Sequence, residues 1–360
     1  MIDQRSDDIS QESELAGTSL ADLRPRLTFL CCPPTAMPRL VYLLAASHSG
    51  STLLAMLLGA QPGACTAGEL KATQMGDTDS YRCSCRERIR DCDFWKQIGE
   101  AMAARGYPGF EITRAGTSIF AKGGPYVRHL LSPLYRGGAL ETIRDLALSL
   151  SPRWSARLGE CNGRNLALID SLLEVSGAKV VIDSSKSALR LKYLMQIPGL
   201  DLRVIRVIRD GRAVSLTYTD EWNFADSSDP GMRNGGTGSH RPPPRHSMAE
   251  AANEWKRSNE SCDALTARIP AAQWTEIRYE DLCANPADTL RRLATFLDLD
   301  PNQITLDFRA VTQHVIGNGM RMDSTSEIRL DERWKDVLGS DDLQVFDEVA
   351  GDLNRRYGYG

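Results

Sequence analysis

Residues 41–58 read VYLLAASHSGSTLLAMLL, and the fold turns on how this stretch is read. An apolar run over 40–45 predicts a strand, the small polar residues Ser47-His48-Ser49-Gly50 predict a tight bend, and the apolar spacing over 52–60 predicts a helix. In that layout the backbone N–H groups of Ser49, Gly50, Ser51 and Thr52 stand at a helix start. There, unpaired donors and the positive end of the helix attract an anion such as phosphate. Set against the phosphate-loop pattern G-x-x-x-x-G-K-[ST], residues 45–52 keep the bend at Gly50 and the hydroxyl at Thr52, but carry Ser51 where the lysine belongs. That lysine bridges the β- and γ-phosphates of a triphosphate. Without it, and with no strand-end carboxylate dedicated to Mg²⁺, a nucleotide with a single 5′-phosphate end fits better. An ordinary strand–turn–helix with serine and threonine as caps has the same pattern.

Two more strands are legible, KVVID at 179–183 and LRVIRVI at 202–208. Helical periodicity recurs near 137–150, 164–176, 187–196, 211–222, 249–264 and 286–298. Alternating strands and helices predict an α/β fold, a P-loop-like parallel β-sheet flanked by α-helices. Residues 72–160 break the alternation as a mostly helical insertion beside the sheet. Residues 225–247, ADSSDPGMRNGGTGSHRPPPRHS, have no periodicity and read either as a mobile lid over a substrate cleft or as a plain disordered insertion. Residues 1–37 are acidic and polar with a Pro33-Pro34 pair and read as a disordered leader, which leaves 38–360 as one domain.

The 360 residues carry a formal net charge of −4, so nothing pulls the whole chain toward nucleic acid or an anionic membrane, and a basic site has to be local. No run of eighteen apolar residues predicts a membrane span. The nine cysteines lack the even spacing of a disulfide scaffold, which agrees with a reducing, cytoplasmic location. Cys83, Cys85 and Cys92 stand apart as a close group. With a fourth ligand such as Cys65 or Cys161 they make a zinc set, two of them make a disulfide, and reduced structural thiols are the plain alternative. Because C-x-C is not the usual zinc-knuckle spacing, no metal is expected.

A second anion site is suggested by RVIRVIRDGRAVSLTYT. The strand ends at Arg209, and Thr217 follows two helical turns later. A planar guanidinium and a neutral hydroxyl outside the carboxyl edge of the sheet suit an isolated phosphate. A solvated basic strand end is the alternative.

Taken together, these motifs resemble the sulfotransferases that use 3′-phosphoadenosine 5′-phosphosulfate (PAPS), in their bacterial form and with similarity to the tyrosylprotein branch. His48-Ser49-Gly50-Ser51-Thr52 is similar to that family's 5′-phosphosulfate loop [KR]-S-G-[ST]-[ST]. Arg209 and Thr217 are similar to its 3′-phosphate element, with threonine for serine. RYEDLCANPADTLRRLATFLDL (278–299) resembles its Tyr-Glu-Asp-Leu segment, and GNGMR with IRLDERWKDVL (317–338) resembles its late nucleotide-closing loop.

The resemblance implies sulfuryl transfer from PAPS, without a metal, to a hydroxyl or amine on a small molecule, glycan or peptide. Cofactor contacts fall on Ser47, His48, Ser49, Gly50, Ser51, Thr52, Arg209, Thr217, Tyr279 near the adenine, and Arg321. It implies Glu69, in the Gly68-Glu69 pair, as general base, with burial raising its pKa toward the working pH. It implies Lys186, with Ser184 and Ser185 beside it, as the charge on the sulfuryl oxygens. His48 stands where the family carries lysine or arginine, and is read as a transition-state donor. A P-loop small-molecule kinase and a non-catalytic PAP- or nucleotide-binding protein are the other readings.

Overall fold

The structure, a computed structural model, describes residues 39–72, 79–119, 138–219, 227, 229–233 and 245–360. The expected leader and most of the 225–247 segment lie outside these residues.

Strand β1 (Arg39–Ala45) leads into helix α1 (Ser51–Gly59), as the opening stretch predicts. Leu40 through Leu44 are all fully buried. A strand alternates its side chains between two faces, so a run this apolar needs cover on both. Leu40, Tyr42 and Leu44 face one core, with Ile98, Met102, Leu168 and Leu172. Val41 and Leu43 face another, with Leu54, Leu57, Leu58, Leu290 and Leu293. Each fully buried leucine contributes roughly 1.5–3 kcal/mol, so β1 is the axis of the domain.

The other strands are β2 (Ala64–Gly68), β3 (Val180–Lys186), β4 (Asp201–Ile208) and β5 (Trp274–Arg278). All neighbours pair parallel in the order β2-β3-β1-β4-β5. This is the α/β parallel sheet flanked by helices that the alternation predicts. β2 and β5 were not legible: ACTAG has a single β-branched residue, Thr66, and no aromatic, and WTEIR is a short edge strand. β1–β4 and β4–β5 pair regularly throughout, whereas both pairings of β3 become irregular toward the carboxyl ends. The β1–β3 register shifts between Tyr42 and Leu44, and the β2–β3 register between Thr66 and Gly68. Such irregularities re-aim side chains, and here they involve the strand ends that carry Glu69 and Lys186.

Helix α2 (Asp93–Ala104), α3 (Gly138–Ser149) and α4 (Pro152–Ser176) belong to the region of the expected insertion or continue from it. α4 begins at Pro152 rather than near 164. Ser151 caps it by accepting from the Trp154 N–H, and proline occupies the first turn. α5 (Ala188–Leu194) follows β3, α6 (Gly211–Thr219) follows β4, and α7 (Met248–Thr266) opens with a Ser247–Glu250 capping box. α8 (Tyr279–Ala284) directly follows β5, and α9 (Pro286–Phe296) packs its apolar face under the sheet. Among the described residues no helix is long and apolar enough to cross a membrane.

Candidate active site

The turn between β1 and α1 is shaped by one glycine. Gly50, the N-cap of α1, has φ 82° and ψ 9° and gives no side-chain cap. A Cβ there would lie 2.3 Å from Cδ2 of Tyr279, so left-handed backbone and close approach both demand glycine. His48 also sits at positive φ, 64°, which is uncommon for a residue with a side chain and stores strain. The Ser49 hydroxyl is buried and finds no partner among the described residues. Ser51 and Thr52 are buried in the first turn, and Ser47 is half-buried.

Arg209 stands at the end of β4, next to β1, and the adjacency brings it onto the loop. Its Nη1 donates to the His48 carbonyl at 2.9 Å, and its Nη2 to the backbone and side chain of Asp331 at 2.9 and 3.0 Å. The guanidinium lies over the Tyr279 ring, 4.4 Å from its centroid, while its buried Nε has no partner among the described residues. Asp331, which the sequence reading did not single out, is held well below the usual carboxylate range: burial pushes it up, but Arg333 and Arg209 outweigh that. Thr217, on α6, turns its hydroxyl back toward the Ala213 carbonyl at 3.3 Å. On the same helix the Ser215 hydroxyl is buried without a partner among the described residues.

Glu69 leaves β2 just after Gly68, whose φ of 84° and contact with the Ile316 carbonyl exclude a side chain. Its N–H donates to the Ile316 oxygen at 3.2 Å. Lys186, at the end of β3 with φ 68°, places Nζ 2.6 Å from Glu69 Oε1, and Lys71 places Nζ 3.2 Å from Oε2. The expected rise in the Glu69 pKa is corrected here. Burial does push it up, but the two ammonium groups outweigh burial and hold it at about 2. A buried clamp underneath fixes both strand ends. Asp183 Oδ1 accepts from the N–H groups of Leu70 and Ser185 and from the Ser185 hydroxyl, Ser185 Oγ accepts from the Lys71 N–H, and Arg190 Nε donates to Asp183 Oδ2 at 3.0 Å.

His48 senses this whole group. Burial, then Lys186 and Arg209, lower its pKa to about 3 against the pull of Glu69, so its imidazole is neutral at pH 7. The ring meets Tyr218 edge-on at 4.9 Å. Four of the residues singled out in the sequence (His48, Glu69, Lys186 and Arg209) therefore form one electrostatic site at the carboxyl edge of the sheet, where open α/β sheets bind ligands.

Two expectations fare differently. Arg321 is fully buried, with Nη1 on the Gly317 and Asn318 carbonyls, Nη2 on the Arg82 carbonyl, and its guanidinium over Tyr81. These bonds brace the 317–321 turn, while the buried Nε of Arg321 has no partner among the described residues. Tyr279 is buried between Gly50 and Arg209, with its hydroxyl on the Arg329 carbonyl, and in that position it supports the loop and the guanidinium. The fourth neighbour of Cys83, Cys85 and Cys92 is also corrected: it is His314, not Cys65 on β2 or Cys161 on α4. Nothing local in the sequence links His314 to those cysteines.

The donor set at this edge suits an anion. The start of α1 has no side-chain cap, and the buried Ser49 hydroxyl and Arg209 Nε, without partners among the described residues, are polar groups that an anion would satisfy. The sequence matches the model of the Sulfotransferase family over residues 40–303, and the chain belongs to that family. Similar solved structures include sulfotransferase STF9 from Mycobacterium avium, 12% identical with a TM-score of 0.44, over 91% of this chain and 78% of that one. The sulfotransferase domain of the curacin biosynthetic pathway is 14% identical with a TM-score of 0.40, over 91% and 99%. Retinol dehydratase, in complex with androsterone and the inactive cofactor PAP, is 11% identical with a TM-score of 0.39, over 89% and 81%. A search of curated protein sequences finds no match.

Proposed function

We propose that the protein transfers a sulfuryl group from PAPS to a hydroxyl or amine acceptor. The observation that carries this reading is the Lys186–Glu69 pair, 2.6 Å apart at the exits of adjacent parallel strands, in one electrostatic group with His48 and Arg209. Sulfuryl transfer asks for an in-line acceptor oxygen, a base for its proton, and fixed positive charge on the transferring and leaving oxygens. When bound, PAPS supplies the sulfuryl group and a phosphate leaving group.

The chain's own residues divide the remaining work. The N–H groups of Ser49 to Thr52 hold the 5′ end, with the Ser49 hydroxyl turned to it. Arg209 holds the 3′-phosphate with Thr217, whose present bond to Ala213 is long enough to exchange. Lys186 is the switch. In the free site it neutralises Glu69; an anionic sulfuryl group competes for the same ammonium. As that hold weakens, the Glu69 pKa rises from its depressed value although Lys71 stays on Oε2, so the carboxylate becomes a better base when an acceptor hydroxyl is present. The same anion favours protonated His48, which then donates toward the bridging oxygen. Asp183 and Ser185 keep Glu69 and Lys186 in register.

Thermal shift with PAP, ATP and ATP·Mg²⁺, followed by a sulfate-transfer assay, tests the reading. PAP is expected to raise the melting temperature, since a ligand at a hundred times its Kd stabilises by about 2.7 kcal/mol, and Arg209→Ala is expected to lose that shift. Preference for ATP·Mg²⁺ would make the protein a kinase. Tight PAP binding without transfer to any hydroxyl or amine acceptor would leave it a nucleotide-binding protein.

A further inference from the structure

Cys83, Cys85 and Cys92 come together with His314, 222 residues beyond Cys92 in the chain. Their ligand atoms all lie within 4.8 Å of one another. Cys85 Sγ is 3.7 Å from Cys92 Sγ, and His314 Nδ1 is 3.3 Å from Cys92 Sγ and 3.6 Å from Cys83 Sγ. A tetrahedral zinc with Zn–S near 2.3 Å and Zn–N near 2.0 Å has S···S edges of about 3.8 Å and S···N edges of about 3.5 Å. These three separations match such edges, and the Cys85–Cys92 Sγ···Sγ distance far exceeds the roughly 2.05 Å of a disulfide.

The backbone is arranged to present the sulfurs. The Cys83 N–H donates to the Glu87 carbonyl and the Arg86 N–H to the Cys83 carbonyl, and Arg86 takes φ 72° to close the turn. Cys92 follows at the N-cap of α2. On the other side the His314 ring stacks on Phe94 at 4.5 Å and 6°, which fixes its plane. Ser84 ties the two segments directly, its N–H to the Val315 carbonyl, its hydroxyl to the Gln313 carbonyl, and the Val315 N–H to its oxygen.

We propose that Cys83, Cys85, Cys92 and His314 bind one structural Zn²⁺ that pins the 313–317 segment to the cysteine turn. Four protein ligands close the coordination shell, which is the signature of a structural rather than a catalytic zinc. The pinned segment is the wall behind Glu69. Ile316 accepts the Glu69 N–H, Gly317 lies against the Glu69 side chain, and the Tyr81 hydroxyl bonds both the N–H and the carbonyl of Gly317. The proposal does not depend on which group the enzyme transfers.

The test is metal analysis of the full chain, purified under reducing conditions from zinc-supplemented cells. About one zinc per chain is expected, and Co²⁺ exchanged into the site should show thiolate charge-transfer and tetrahedral ligand-field bands. Cys85→Ser and His314→Ala should each weaken zinc binding by roughly tenfold or more, while Cys65→Ser and Cys161→Ser retain it. Chelation should lower the melting temperature, with recovery on adding Zn²⁺. Wild-type chain that stays metal-free after incubation with Zn²⁺, or whose mass shows a disulfide among these cysteines, would overturn the proposal. So would zinc content indifferent to both ligand substitutions. If a variant fails to fold, the wild-type zinc content and cobalt spectrum still decide.

Discussion

The Lys186 ammonium lies 2.6 Å from the Glu69 carboxylate, with both side chains largely buried. Neither group reaches this position by accident of side-chain flexibility: each sits just where a strand ends, and Lys186 holds a left-handed backbone to do so. A buried pair is strongly destabilised when one member is removed, because the other charge is left uncompensated. Each charge therefore depends on its partner, and the pair is sensitive to any anion that competes for the lysine.

Glu69→Gln is expected to keep PAP binding and slow transfer by roughly a hundredfold or more. The stability signature is separate. Because the folded pKa of Glu69 is depressed to about 2, the carboxylate's contribution is present above its unfolded value near 4.3 and is lost as pH falls toward 2. The gap in melting temperature between wild type and Glu69→Gln should thus be largest near neutrality and shrink below pH about 4. Wild-type turnover in the variant would remove Glu69 from the base role.

Lys186→Ala and Lys186→Gly should both retain PAP binding and lose about a hundredfold in transfer. They should differ in stability. At φ 68° alanine is strained and glycine is not, so the glycine variant is expected to be more stable by roughly 1 kcal/mol in denaturant unfolding. Equal stabilities would mean that the turn relaxes.

His48 carries an opposite kind of test, since its folded pKa is depressed to about 3. The unfolded chain binds a proton near pH 6.5 and the folded chain does not. Wild type should therefore lose stability relative to His48→Asn as pH falls from about 6.5 to about 3. With PAP bound the loss should be smaller, because the anion favours the imidazolium. Calorimetric binding in buffers of different ionisation enthalpy should report proton uptake in wild type and none from this site in His48→Asn.

Gly50→Ala should destabilise the fold by roughly 1–3 kcal/mol and abolish the thermal shift with PAP. The added methyl runs into the Tyr279 ring, which lies under the Arg209 guanidinium. Combining it with Tyr279→Leu should recover part of the stability without recovering binding, a non-additivity that a purely local backbone effect would not produce.

Much of this site was legible in one dimension. The strand, bend and helix of residues 40–60, the parallel α/β architecture, and the singling out of Ser49, Gly50 and Arg209 follow from periodicity and turn chemistry, while Glu69 and Lys186 were singled out by the resemblance to the sulfotransferases. These are local signals, or motifs whose spacing is measured along the chain. β2, β5 and the early start of α4 were not read, because small residues, a short edge and a capped polar helix carry weak periodicity.

What the amino-acid sequence determined by itself was which segments become strands and helices, and which residue types stand at their ends. The tertiary structure alone decided the charge state of those ends. It set two lysines on Glu69 and so reversed the expected direction of its pKa, it turned Arg321 inward onto backbone carbonyls, and it carried His314 to three cysteines more than 200 residues away. The physical reason is that burial and Coulomb interactions depend on distance in space, which parallel strand pairing reassigns with no regard to distance along the chain.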